Sequence, residues 1–217
     1  MILLPVKNLE NAKERLSPVL ERAERRALAE AMLQDVMHAL GDWRGRPDVT
    51  VVTSDPFATE LARQFSFEII EDRVNRSETD AIQMATESCV ARGAEWTLVI
   101  PGDIPLVQSS ELEQILAAAP SEGSVLVPGW DGRGSNAVWR RPAELFPLRF
   151  GNDSFGPHLH AAQATGKECV VLRLPGIGLD VDNPADLSQL MAAGGDTRAQ
   201  RLLRGWKIAD RLLAVGD

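Results

Sequence analysis

The fold is decided by the stretch Trp96-Thr-Leu-Val-Ile-Pro-Gly-Asp-Ile-Pro-Leu106, in the middle of the chain. Its residues Thr97 to Ile100 are all apolar or β-branched, and a proline and a glycine end the run. A short apolar run bounded in this way predicts a strand buried on both faces, as in the centre of an α/β sheet. Ligands of such sheets bind beyond the carboxyl ends of the strands. Asp103 stands at that point, so we expect it either to hold a metal ion or to cap a turn.

Outward from this strand, short β-branched runs alternate with longer apolar-periodic runs. The clearest helix is predicted over 21–40, where Leu28, Met32, Val36 and Leu40 recur every four residues. Further strands are predicted at 2–7, 48–53, 67–70, 124–128, 136–139 and 169–173. Strands and helices in this rhythm predict βαβ units, so we expect an α/β fold with a largely parallel sheet.

The chain has 217 residues, of which 44% are hydrophobic, enough for one domain with a substantial core. We place the domain at residues 1–193. Gly194, Gly195 and Asp196 then form a hinge, and residues 194–217 form an amphipathic helical tail. The apolar side of this tail is expected to pack on the domain or on a partner subunit, and the second arrangement would give a homodimer.

Composition excludes several classes of protein. The net charge of −8 argues against a nucleic-acid-binding surface, which needs a basic face. No apolar run reaches the roughly 18 residues that span a bilayer, so no membrane partner is expected. The apolar run that opens the chain is too short for a signal peptide, which predicts a cytoplasmic protein. Cys89 and Cys169 are too few for a disulfide scaffold and are expected to be buried free thiols.

Charged side chains follow two of the predicted strands. Lys7, Lys13 and Arg15 come directly after the first strand, which indicates an anion site, although a solvated loop would have the same composition. Near the end of the domain, Asp180 and Asp182 flank Val181 and would point to one face at strand spacing. Such a pair suits Mg²⁺, with Mn²⁺ as an alternative. The other interpretation makes Asp182 or Asn183 the cap of the following helix.

Two loops of small residues complete the pattern. The first, 129–136, has three glycines, and the second, 150–155, opens a helix whose N-terminus favours a phosphate or a carboxylate. No GxGxxG or GxxxxGK[ST] motif is present, so standard dinucleotide and Walker sites are not indicated. His158 and His160 are two residues apart and do not face the same way. We therefore place both on the helix surface.

Several motifs, in order along residues 1 to about 190, resemble the phospholactate guanylyltransferase (CofC-like) family of deazaflavin coenzyme F-420 biosynthesis. The combination is more specific than any single motif. The matching pieces are Leu4-Pro-Val-Lys7, Ala12-Lys-Glu-Arg-Leu-Ser17, Arg25-Arg-Ala-Leu-Ala-Glu-Ala-Met-Leu33, Pro101-Gly-Asp-Ile-Pro-Leu106, Gly134-Ser-Asn-Ala137, Phe150-Gly-Asn-Asp-Ser-Phe155 and Leu179-Asp-Val-Asp182.

The resemblance implies a fold shared with GT-A glycosyltransferases: three α/β/α layers with a mixed, mainly parallel central sheet. It implies a reaction in which a phosphorylated three-carbon acid attacks the α-phosphate of GTP and pyrophosphate leaves. Family acceptors include 2-phospholactate, phosphoenolpyruvate and 3-phosphoglycerate. The resemblance implies that Asp103, Asp180 and Asp182 bind the metal ion. It implies that Lys7 and Lys13, together with Asp103, bind the nucleotide phosphates and take part in catalysis. The implied acceptor-binding residues are Ser135, Gly151 and Ser154.

The chain departs from the family in two places. Ser135 stands where the family usually has Thr, which keeps the hydroxyl group. Asp80 stands where the family commonly has an Asn beside the nucleotide base. A carboxylate there would accept hydrogen bonds from the N1–H and amino groups of guanine, but it would also suit another base.

Other functions remain open at this level. A nucleotidyltransferase of the same fold would use another nucleotide or acceptor, such as a sugar phosphate or molybdopterin. A GT-A glycosyltransferase would need a DxD motif after a central strand, and Pro101-Gly-Asp103 has one of those carboxylates. A non-catalytic nucleotide-binding relative would be favoured if the three carboxylates did not converge.

Overall fold

The computed structural model describes residues 1–72, 77–151 and 153–215. The strands in these ranges are β1 Ile2–Val6, β2 Val49–Thr53, β3 Glu68–Glu71, β4 Thr97–Val99, β5 Gly123–Pro128, β6 Ser135–Arg141 and β7 Glu168–Val171. They form one sheet in the order β3-β2-β1-β4-β6-β5-β7. Strand β6 is antiparallel to β4 and β5, and the other pairs are parallel. The predicted mixed, mainly parallel sheet is confirmed, with β4 at its centre.

Helices cover both faces of the sheet. They are α1 Arg22–Gly41, α2 Pro56–Gln64, α3 Glu78–Ala91, α4 Ser109–Ala117, α5 Phe155–Ala164, α6 Pro175–Gly178, α7 Pro184–Ala192, α8 Arg198–Gly205 and α9 Ile208–Val215. Apolar residues of α1, α2 and α4 share one buried cluster with one face of the sheet, while those of α3 and α5 share another with the opposite face. The three-layer α/β/α architecture is therefore confirmed.

Strand β1 shows why the sheet is buried on both sides. Its residues alternate between the two faces. Leu4 packs in the cluster that contains Leu33 of α1, and Leu3 packs in the cluster that contains Ile82 of α3. Because β1 and β4 are parallel neighbours, the residues that follow them reach the same edge of the sheet. The lysines after β1 and Asp103 after β4 are brought together in this way.

Two helices beside the sheet begin at side-chain caps. Helix α3 starts at Glu78, because the Ser77 hydroxyl accepts the backbone N–H of Asp80. Helix α4 is capped by Gln108, which forms a reciprocal capping box with Glu111.

The C-terminal tail contains α8 and α9, which pack on the rest of the same chain. Leu203 and Ile208 are fully buried in a cluster with Leu28 and Met32 of α1. The carboxylate of Asp35, also on α1, accepts the backbone N–H groups of Arg198 and Ala199 at the start of α8.

Two further observations concern the described part of the chain as a whole. None of its helices has the length and apolar character needed to cross a membrane. Cys89 and Cys169 are both free thiols. Cys89 is buried as expected, whereas Cys169 is only partly buried.

Candidate active site

The loop after β1 is held in a strained conformation that presents Lys13. The backbone of Lys13 has φ 58° and ψ 41°, a left-handed conformation that residues other than glycine rarely adopt. The loop is fixed from the start of α2, because the buried carboxylate of its N-cap residue Asp55 accepts the N–H of Leu9 at 3.0 Å. Non-glycine residues in this conformation cluster at functional sites.

The ammonium group of Lys13 lies between two of the predicted carboxylates. Its Nζ is 2.5 Å from Oδ2 of Asp103 and 2.8 Å from Oδ1 of Asp182. Burial by itself would lower the pKa of Lys13, but the two carboxylates raise it above its ordinary value. The Lys13 charge in turn lowers the pKa of Asp182. The structure therefore brings a predicted cation and two predicted anions into one cluster.

Backbone contacts fix the segment that carries the other two carboxylates. The N–H of Val181 donates to the carbonyl of Asp103 at 3.2 Å, which joins the two acidic segments. The segment is not a strand, but Val181 is fully buried and Asp180 and Asp182 both line the adjacent cavity. The side chain of Asn183 caps α7, so Asp182 does not have that role.

Asp180 has a different environment from Asp182. The side-chain amide of Asn136 donates to its Oδ1 at 2.9 Å and also donates to the carbonyl of Ile177. Burial, followed by the charge of Asp103, raises the pKa of Asp180 to about 6. Burial disfavours the charged carboxylate, and a bound cation would favour it.

Two cavities meet at this cluster. The carboxylate cavity, about 430 Å³, is lined by all three aspartates and by both small-residue loops. The lysine cavity, about 470 Å³, is lined by Lys7 and Lys13 and by apolar residues that include Met32 and Leu33. The residues that line both cavities are Glu78, Pro101, Asp103 and Asp182. Ligands in the two cavities would therefore meet at the carboxylates.

The three predicted acceptor residues all line the carboxylate cavity. Gly151 has φ +128°, which favours glycine. The hydroxyl of Ser154 accepts the backbone N–H of Ser135 at 3.0 Å, which joins the two loops. Arg133 and Asp153, one from each loop, form a second connection through two hydrogen bonds.

The donor set fits a metal ion only in part. Oδ1 of Asp103 is buried and has no hydrogen-bond partner, which leaves one oxygen available to a cation. In residues 1–72, 77–151 and 153–215, however, no three His, Cys, Asp or Glu side chains form a ready-made metal cage. Mg²⁺ is usually bound through one or two carboxylates together with substrate phosphates. The carboxylates fit such a shared site, completed by a phosphorylated ligand.

Asp80 is the one predicted site residue that the structure separates from the others. It is exposed on the first turn of α3 and does not line either cavity. Glu78, two residues before it, lines both. Burial, and then the charge of Asp103, raises the pKa of Glu78 to about 7. Residues 73–76, which precede Ser77, lie outside the described residues, and so does Asn152 in the second small-residue loop.

His158 was wrongly placed on the helix surface. It is 1% exposed, whereas His160 is exposed as expected. Its Nδ1 is 2.8 Å from Oγ of Ser135, and its Nε2 accepts the backbone N–H of Arg149 at 2.8 Å. Both partners of the imidazole lie outside α5, so spacing along the helix gave no signal of this burial.

Comparison with known proteins shows to which family this chain belongs. Residues 1–212 match the family described as "Guanylyl transferase CofC like". The chain is 32% identical over 189 residues to a phosphoenolpyruvate guanylyltransferase of Sphaerobacter thermophilus, covering 87% of this chain and 90% of the relative. It is 33% identical over 202 residues to a 2-phospho-L-lactate guanylyltransferase of Methanothermobacter thermautotrophicus, covering 93% of this chain and 88% of the relative.

A solved structure supports the fold. A protein from Desulfovibrio desulfuricans described as a nucleotide-diphospho-sugar transferase superimposes with a TM-score of 0.79. The alignment covers 99% of this chain and 96% of that protein, at 18% identity. At this identity the likeness bears on the fold alone. The family match over nearly the whole chain, with two relatives above 30% identity, shows that the protein belongs to the CofC-like guanylyltransferase family.

Proposed function

We propose that the protein transfers a GMP group from GTP to a small phosphorylated three-carbon acid and releases pyrophosphate. The observation that carries this proposal is the meeting of two cavities at Asp103, Asp182 and Glu78. One cavity has lysines and apolar walls, and the other has carboxylates and small-residue loops. The names of the relatives supply guanine as the base and phosphoenolpyruvate or 2-phospholactate as acceptors.

The lysine cavity suits the nucleotide. Lys7 and Lys13 would contact the phosphates of GTP, and the half-buried residues Ala12 and Pro101 would offer apolar surface to the base or the ribose. Glu78 lies where this cavity joins the other, so we assign a contact with the nucleotide to Glu78 in place of Asp80.

The carboxylate cavity suits the acceptor. Ser135, Gly151 and Ser154 provide hydroxyl and backbone groups for an anionic acid. An oxygen of the acceptor phosphate would form a bond to the α-phosphorus of GTP. The bond from that phosphorus to the bridging oxygen breaks, and the electron pair leaves with pyrophosphate. The attacking oxygen is already anionic at pH 7, so no general base is needed, and positioning and electrostatics supply the catalysis.

Mg²⁺, or Mn²⁺ in its place, would be held by Asp103 and Asp180, with Asp182 beside them. When bound, such an ion neutralises phosphate charge and aligns the reacting groups. The unpartnered Oδ1 of Asp103 and the raised pKa of Asp180 support this assignment.

Two further proposals concern the protein as a whole. GTP is a cytoplasmic nucleotide, so we place the activity in the cytoplasm, without a nucleic-acid or membrane partner. A homodimer stays a prediction from the amphipathic tail. Sedimentation velocity at several protein concentrations would measure it.

A pyrophosphate-release assay tests the proposed function. Purified protein with Mg²⁺ is incubated with each of the four nucleoside triphosphates and with 2-phospholactate, phosphoenolpyruvate or 3-phosphoglycerate. We expect turnover with GTP and at least one acid, and loss of this turnover in Asp103→Ala with an unchanged far-UV circular dichroism spectrum. An Asp42→Ala variant, changed at an exposed position, serves as control. Absence of turnover with GTP and all three acids would contradict the proposal.

A further inference from the structure

His158 connects the two loops that carry the predicted acceptor residues. It lies on α5, its Nδ1 contacts the side chain of Ser135 at the start of β6, and its Nε2 contacts the backbone of Arg149. The ring of Phe150 packs edge-on against the imidazole, with centroids 5.0 Å apart. Every polar atom of this buried ring therefore has a partner.

These contacts fix which nitrogen carries the proton. A backbone N–H can only donate, so Nε2, which accepts from Arg149, has no proton of its own. The proton of the neutral ring is then on Nδ1, which must donate to Oγ of Ser135 at 2.8 Å. A protonated imidazolium would place two donors against each other at Nε2.

The tautomer also determines what the serine can do. In residues 1–72, 77–151 and 153–215, the Nδ1 of His158 is the one protein group hydrogen-bonded to Oγ of Ser135. Because this oxygen accepts from His158, its own proton points elsewhere. Ser135 lines the carboxylate cavity and is 7% exposed. We infer that His158 is a positioning residue that fixes the Ser135 hydroxyl as a hydrogen-bond donor to an anionic oxygen of the acceptor.

The electrostatic surroundings keep the imidazole neutral. Burial, followed by the positive charge of Arg140 on β6, lowers the pKa of His158 to about 4. The neutral form is therefore the one present at physiological pH. That the ligand is an acceptor acid rests on the proposed function, whereas the tautomer rests on the contacts alone.

The tautomer can be read directly in the unmodified protein. In ¹⁵N-labelled protein at pH 7, the two ring nitrogens of His158 give distinct shifts for the protonated and unprotonated positions. We expect the protonated shift at Nδ1 and the unprotonated shift at Nε2. The opposite assignment, or an imidazolium, would overturn the inference whether or not the protein turns over GTP.

A double-mutant cycle tests the action through Ser135. The affinity of each of the three acids is measured by calorimetry for the full-length protein and for His158→Gln, Ser135→Ala and the double variant. A glutamine keeps an acceptor near Nε2 but loses the donor at Nδ1. We expect each single change to weaken binding of the tightest acid about tenfold, and the double variant to be no weaker than Ser135→Ala. His158→Asn, which keeps a donor near Nδ1, should stay closer to wild type.

The remaining outcomes separate this inference from the proposed function. If His158→Gln weakens binding by the same factor with and without the Ser135 hydroxyl, the histidine acts only on the loop and the inference is wrong. If none of the three acids binds the wild-type protein, the inference is also wrong. Binding with the expected coupling, but no turnover with GTP, would support the inference and contradict the proposed function alone. If His158→Gln does not fold, the nitrogen shifts of the wild-type protein decide.

Discussion

At the scale of single residues, the site depends on where each charge is held. Lys13 shares one cluster with Asp103 and Asp182, and a left-handed backbone directs it there. A surface ion pair contributes little, but this lysine side chain is 8% exposed, and it pairs with two carboxylates that are 29% and 43% exposed. The ammonium group of Lys13 is therefore held between the two carboxylates and away from solvent.

The two acidic residues at the start of α3 should behave differently. Glu78 lines both cavities, whereas Asp80 is exposed outside them. We expect Glu78→Gln to lower kcat/KM for GTP about tenfold or more, since it removes a charge-assisted contact worth roughly 1.5–3 kcal/mol. The matched variant Asp80→Asn should stay within about twofold of wild type, as exposed substitutions usually do. Steady-state kinetics measure both, and a larger effect at Asp80 would return the nucleotide contact to that residue.

His158 should give the folded protein a dependence on pH. Its pKa is lowered to about 4 in the folded state by burial and by Arg140, while an unfolded chain titrates near 6.5. Between these values the unfolded state binds more protons, so stability falls as pH falls, by up to about 1.4 kcal/mol per pH unit. Urea unfolding at pH 7 and pH 5 should show a larger loss for wild type than for His158→Gln. Equal losses would mean that His158 titrates normally.

At the scale of elements, a carboxylate on α7 fixes the segment before that helix, and a carboxylate on α1 fixes the start of α8. Asp186 of α7 accepts the N–H groups of Asp182 and Asn183, which fixes the acidic segment beside the cavity. Asp35 of α1 does the same for the first residues of α8. Short helices such as these depend on caps and packing, because few residues contribute hydrogen bonds within them.

The cap at α8 can be tested without disturbing the site. Asp35→Ala removes the acceptor of two backbone N–H groups and should lower the free energy of unfolding by about 1–2 kcal/mol. Turnover at 25 °C should not change, because Asp35 lines neither of the two cavities at the site. Asp42→Ala, at an exposed aspartate just after α1, is the matched control. A loss in the control as large as that in Asp35→Ala would indicate a general charge effect.

At the scale of the whole molecule, the tail is part of the core that supports the site. Leu203 and Ile208 pack with Leu16 and Leu20 of the loop that follows Lys13, in the same cluster as Val181. The tail therefore backs both the lysine loop and the acidic segment, although it contributes no residue to either cavity.

Paired leucine substitutions should measure this support. Leu203→Ala, at a fully buried position, should cost about 2–5 kcal/mol of unfolding free energy, because it removes apolar contacts and leaves a cavity. Leu213→Ala, on α9 at 75% exposure, should change it by less than about 0.5 kcal/mol. Chemical denaturation measures both. A small effect at Leu203 would show that the tail packs loosely on the domain.

The sequence by itself predicted the α/β class of the fold, the strands of its sheet and most residues of the candidate site. Apolar runs and their spacing predict strands and helices because burial follows periodicity, and residues at the ends of parallel strands must share one edge. Lys7, Lys13 and Asp103 were predicted in this way, whereas Asp180 and Asp182 were predicted from the family motifs and from a strand spacing that their segment does not have. The three acceptor residues came from the motifs alone.

The tertiary structure decided which neighbours these residues have. Ser77 caps α3, which places Glu78 and Asp80 in the first turn of this helix, pointing in different directions. Glu78 therefore lines the cavities, whereas Asp80 is exposed. His158 has no charge pattern that indicates its role, since its partners are a hydroxyl and a backbone N–H from distant parts of the chain. Local patterns specify secondary structure and burial, but hydrogen bonds between distant segments exist only once the sheet has brought those segments together.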